Sequence, residues 1–148
     1  MPKVWRSNKP GELGTELVQA AVVVPGTATL TANDVTTFVI GGFGRRVRVA
    51  EFAVSCTTVA ADADGTVLGV LNKFDASADA AVALTTATDM ETLTTREARG
   101  VDVIGTLTDA QLTLEADDTL EFAVTSNSAA IDTQPVGLVV RVTGFALE

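Results

Sequence analysis

Residues Arg45–Val59 read RRVRVAEFAVSCTTV, and their alternation decides the fold class. Side chains on a β-strand point to opposite faces with a period of two. Val47, Val49 and, after Glu51, Phe52 fall near alternating positions, with Arg46, Arg48 and Glu51 among the polar ones. The phase slips around Ala50-Glu51, the mark of a β-bulge. This is the clearest strand in the chain.

The neighbouring segments follow the same grammar. ELVQAAVVVP is a short apolar run ended by Pro25-Gly26, and TATLTAND alternates up to Asn33-Asp34, both with turn chemistry. VTTFVI and TVLGVLNKF are further strands, separated by the turn ADADG, and DASADAA is a polar break. VDVIGTL, AQLTLEADDTLEFAVTS and VGLVVRVTGFAL complete the set. Within the second of these, Leu112 and Leu114, then Leu120, Phe122 and Val124, alternate on either side of EADD, which reads as a hairpin with a polar tip. Residues 79–98 mix signals. Ala, Leu, Met and Glu favour helix, and the many Thr residues favour strand or irregular structure. The stretch TDMETLTTRE is assigned a short helix or turn, with Asp89 able to cap and pair with Arg96. Seven to nine short strands at intervals of about ten residues predict an all-β fold. The expected architecture is an antiparallel β-sandwich or jelly-roll-like single domain over residues 17–148, with an extended arm over residues 1–16.

Bulk properties agree. The chain has 148 residues, enough for one domain with a disulfide-free core. Val, Thr and Ala dominate, and there is no Tyr. The single Cys56 sits in an alternating apolar run and reads as a small buried hydrophobe. The start of the sequence shows no apolar h-region, and the longest pure apolar run is AAVVV, far short of a membrane span. The expected protein is soluble and made in the cytosol. The net charge of −9 argues against a general nucleic-acid binder.

That charge is unevenly spread. Lys3, Arg6 and Lys9 lie in a stretch without acids, and Arg45, Arg46 and Arg48 form a second basic cluster. Pro2, Pro10, Gly11 and Gly14 break any regular element in the arm. Trp5 either folds back onto its own domain or anchors the arm on another chain.

Gly41–Arg46, GGFGRR, has the look of a phosphate cradle, but it lacks both the Walker and the dinucleotide spacing. A strand pattern follows it, so no helix N-terminus is on offer to an anion. A Gly-rich hairpin remains, or a partner contact through Arg46 and Arg48 on one strand face. Asp62–Gly65, DADG, fails the EF-hand ligand pattern and reads as a turn, and EADD reads as a solvated tip. Two such loops meeting in space would still make a weak Ca²⁺ site. With no His, no Tyr and one Cys, the common catalytic triads and most zinc sites are impossible. A carboxylate pair remains open, but most acids lie in turns beside other acids. One Trp and six Phe offer little to stack on a sugar.

The arm MPKVWRSNKPGELG, the Ala/Thr/Val-rich strands, the stretch LNKFDASADAAVALTTATD and the segments LTLEADDTLEFAVTS and VGLVVRVTG resemble small structural proteins of tailed bacteriophages. In particular the chain resembles capsid decoration (cement) proteins. The resemblance implies a virion protein, a homotrimer of β-sandwiches seated on the outer surface of the phage head. Its arms would reach the major capsid protein or the next protomer and brace the shell. The expected partner-binding residues are Lys3, Trp5, Arg6 and Lys9 of the arm and Arg45, Arg46 and Arg48 of the basic face. No catalytic residue, cofactor, metal, direct nucleic-acid contact or membrane contact is expected. The rival from the same virion is a head-fibre, tail or baseplate module binding a host surface or glycan. The rival from another class is a carbohydrate-binding or enzymatic sandwich.

Overall fold

The computed structural model describes residues 16–93, 98–99 and 107–147. The elements in chain order are β1 (Leu17–Val23), β2 (Val35–Gly41), β3 (Val47–Ser55), β4 (Val67–Asp75) and β5 (Ala80–Ala83). There follow β6 (Thr88–Asp89), β7 (Ala98–Arg99), α1 (Asp109–Leu112), β8 (Thr113–Leu114), β9 (Thr119–Ser126) and β10 (Val139–Ala146).

They form two five-stranded antiparallel sheets. The first runs β1-β10-β3, with β7 and β8 sharing the far edge of β3. The second runs β2-β9-β4, with β5 and β6 sharing the far edge of β4. The chain therefore belongs to the all-β class as a β-sandwich.

Alternation explains the layering. On β9 Leu120, Phe122 and Val124 are buried, and on β10 Val140 and Val142 are buried. These side chains meet between the sheets, where Phe52 of the first and Phe122 of the second lie with ring centroids 6.5 Å apart and tilted at 45°. Each such buried side chain contributes about 1.5–3 kcal/mol through removal from water.

The phase slip in β3 is a bulge. Glu51 lies opposite Thr143, but Val49 lies opposite Gly144, so Ala50 is the extra residue. Without that insertion Val47 and Val49 would face outward whenever Phe52 and Val54 faced inward. With it, all four are buried.

Two expectations are corrected. Leu112–Val124 is not a hairpin, because β8 pairs with β3 of the first sheet and β9 with β2 and β4 of the second. EADD instead carries the chain from one sheet to the other. GGFGRR does the same between β2 and β3, so it is also not a hairpin turn. Of the helix or turn expected over TDMETLTTRE, the turn is present at Met90-Glu91: it follows the short strand β6, and Asp89 accepts from the Glu91 amide at 2.9 Å to close it. Arg96 and most of VDVIGTL lie outside the described residues.

Candidate functional site

Arg45, Arg46 and Arg48 gather at one end of the sandwich, and glycines bring them there. Gly41 (φ 100°) and Gly44 (φ 67°) adopt left-handed backbone that favours glycine. Gly42 passes against the 115–118 turn, where an added Cβ would stand 2.5 Å from the Asp118 carbonyl oxygen. Phe43 packs against the core and fixes the loop from inside. Val47 and Val49 then point inward, which leaves Arg46 and Arg48 outward, as the two-residue period requires.

Each guanidinium meets an acid of its own chain. Arg45 Nη1 donates to Glu16 Oε2 at 3.0 Å. Arg46 Nε donates to Glu115 Oε1 at 3.2 Å. Arg48 donates to Asp109 Oδ1 through Nε at 3.2 Å and Nη2 at 2.8 Å. The acid that meets Arg46 is therefore the EADD turn of the same copy. These pairs are solvent-accessible, so each stabilises the fold by about 0–1 kcal/mol and can exchange its partner cheaply. Lys3, Trp5, Arg6 and Lys9 lie outside the described residues.

The supports of this end were only partly visible in sequence. Asp118 is 3% exposed, not a solvated tip. Its carboxylate accepts from the Glu115 amide at 2.8 Å and the Ala76 amide at 3.0 Å, tying the inter-sheet turn to the β4–β5 turn. Helix α1 opens on a capping box: the Thr108 hydroxyl accepts from the Gln111 amide, and the Gln111 side chain accepts from the Thr108 amide. The Thr-x-x-Gln spacing could have located it. Lys73, buried on the inner face of β4, donates from Nζ to the carbonyls of Ala110 at 3.2 Å and Thr113 at 3.1 Å. It holds the last turn of α1 against the second sheet. Asp75, at the end of β4, has its carboxyl held below the usual range, chiefly by the Ser77 hydroxyl.

The opposite end is acidic, and its carboxylates are spent on loops. Asp62 is buried, accepts from the Ser128 hydroxyl and from the Asp64 amide, and its own amide donates to Glu91 Oε1 at 2.8 Å. Asp132 Oδ2 accepts from the Ala63 amide at 2.8 Å. The Asp62–Gly65 turn precedes Val67, paired with Ser126, and the Glu115–Asp118 turn precedes Thr119, paired with Phe74. The two acidic loops are thus about 25 Å apart along β4 and β9, and a Ca²⁺ site shared between them is ruled out by the topology. Among the described residues no group of three or more His, Cys, Asp or Glu is placed to hold a metal ion. Cys56 is buried, and desolvation pushes its thiol up to about 11, which fits a packing residue rather than a nucleophile. A shallow depression of about 240 Å³ lies on the outer face of the first sheet, lined by Gln19, Glu51, Ala53, Arg141 and Thr143.

No protein-family model and no curated protein matches the sequence. Among solved structures, a chain of the cyanophage Pam1 capsid asymmetric unit is similar, with a TM-score of 0.50 and 20% identity. The match covers 95% of this chain and 93% of that one. It shows a shared fold across nearly the whole length. Among the described residues no helix is long and apolar enough to cross a membrane.

Proposed function

We propose that this chain is a structural virion protein, a capsid decoration (cement) protein that seats on the outside of a phage head and stabilises it. The observation that carries the reading is the end-to-end fold likeness to a chain of a phage capsid assembly. Two features of the chain support it. Its titratable chemistry at the arginine end and the acidic end is engaged in holding loops together, as in a part built for rigidity. Its N-terminal segment is basic and punctuated by Pro2, Pro10, Gly11 and Gly14, a composition suited to docking on a partner. In this reading copies assemble as a trimer, and the arms contact the major capsid protein or the next protomer. Arg45, Arg46 and Arg48 contribute by exchanging an acid of their own chain for one on the partner.

The test is binding of the purified chain to emptied phage heads that lack it. The chain is expected to bind at saturable stoichiometry and raise the temperature at which heads rupture. Deletion of residues 1–15 is expected to abolish binding while the sandwich stays folded. Glu16 is kept because its carbonyl accepts from the Ala146 amide at 3.0 Å. Full-affinity binding by the truncated chain would overturn the role of the arm. A melting temperature raised by glycans, with no binding to heads, would favour a host-surface module instead.

A further inference from the structure

The two outer faces of the sandwich differ in charge. The first carries Arg141 beside Glu51, Gln19 and Thr143, with Leu17, Val23 and Phe145 also exposed on it. The second turns Val35 and Val39 on β2 and Leu68, Val70 and Phe74 on β4 outward, interspersed with Thr37, Asn72, Thr119 and Thr125 and with Glu121 of β9. Val35 is 49% exposed and Val39 64%. Antiparallel sheets commonly show polar residues on their solvent face, so outward apolar side chains on this one are available to a partner.

The chemistry of this face selects an occupant. Its outward strand residues include no Lys or Arg, while Glu121 lies within it and Asp89, opposite Leu68, stands at its border. The segment that precedes Glu16 has the complementary character: Lys3, Arg6 and Lys9 against the single acid Glu12, with Val4 and Trp5 between the first two cations. It joins the described chain at the start of β1, which packs beside β2 at the margin of this face. At full extension its fifteen residues span up to about 50 Å. Crossing the four strands of the face takes only about 14 Å. That is chain enough to leave one domain and cross its neighbour.

We propose that residues 1–15 of one copy pack across the outer face of the second sheet of a neighbouring copy. Trp5 covers Leu68 and Val70, and the cations of the segment lie toward Glu121 and Asp89. This rests on the reading that copies assemble through their arms, and it names the surface that receives them.

Trp5 is the chain's single Trp and there is no Tyr, so intrinsic fluorescence reports on this segment alone. In the full chain, Trp5 emission is expected to be blue-shifted at high concentration. It should move to the solvent-exposed value on dilution, in step with dissociation recorded by sedimentation velocity. Val35→Lys and Val39→Lys change exposed outward positions and leave the core untouched. Each is expected to weaken association roughly tenfold or more and to red-shift the emission at fixed concentration. A blue shift that survives dilution to monomer would put the segment on its own sheet and overturn the proposal. Solvent-exposed Trp5 at every concentration would overturn it too. Trp5 exposed in free chains but buried on added heads would sink this contact and leave the decoration reading standing. Concentration-dependent burial without head binding would support the contact and remove the decoration reading.

Discussion

The ring of Phe122 fills the space that a side chain at Gly69 would take. Phe122 of β9 lies opposite Leu71 of β4 and leans diagonally across Gly69, where an added Cβ would overlap its ring. Lying there, the ring also meets Phe52 of the other sheet, with centroids 6.5 Å apart.

Gly69→Ala is therefore expected to destabilise the sandwich by about 1–3 kcal/mol through overpacking. Phe122→Leu in the Gly69→Ala background should cost less than the sum of the two single changes, since the residues share one space. Urea denaturation of the four proteins measures this. Strict additivity would contradict the account.

Lys73 joins the second sheet to the helix that leads into the first. Lys73→Met keeps the stem buried and removes the donor for the Ala110 and Thr113 carbonyls. The expected loss is about 1–3 kcal/mol, the cost of leaving buried acceptors unpaired. Hydrogen exchange should quicken at the Gln111 and Leu112 amides, which bond to the Thr108 carbonyl. Unchanged exchange there would show that Lys73 does not hold α1.

Cys56 sets an alkaline limit. Desolvation in the fold pushes its thiol from the ordinary value of about 9 up to about 11. The folded state thus holds its proton in a window where the unfolded state loses it. The contribution is fully present below about pH 9 and falls as pH rises toward 11. Each pH unit within the window removes about 1.4 kcal/mol. Cys56→Ala should flatten this part of the stability profile, as seen in denaturation midpoints between pH 8 and about 11. An identical slope in the variant would refute the assignment.

The ion pairs at the arginine end should matter little for folding. Arg46→Ala and Arg48→Ala are each expected to cost less than about 1 kcal/mol in stability. For head binding the ranking differs. Trp5→Ala is expected to lose about 2 kcal/mol or more, and Lys3→Ala at most about 1 kcal/mol. Binding unchanged in Trp5→Ala but abolished by salt would reverse that order and make the arm an electrostatic contact.

Strand faces were legible in the sequence because alternation is local. The slip at Ala50-Glu51 located the bulge, and Leu112, Leu114, Leu120, Phe122 and Val124 are all buried as their pattern requires. Pairing was not legible. Alternation says which face a residue takes but not which strand lies beside it, so two strands flanking EADD looked like a hairpin although each joins a different sheet. Asp118 looked like one more solvated acid, since nothing in EADD separates it from Asp117. Only the approach of Ala76, 42 residues away, makes it a buried clamp. The partners of the arginines were hidden for the same reason, Asp109 lying 61 positions from Arg48.

The proposed place of the chain is the outer surface of a phage head. Electron microscopy of particles containing the chain gives its location and its stoichiometry in one map. The expected map shows β-sandwich density on the outside of the head, in trimers, with each N-terminal segment leading to a neighbouring subunit. Density in the tail, the baseplate or a fibre, with none on the head surface, would contradict it.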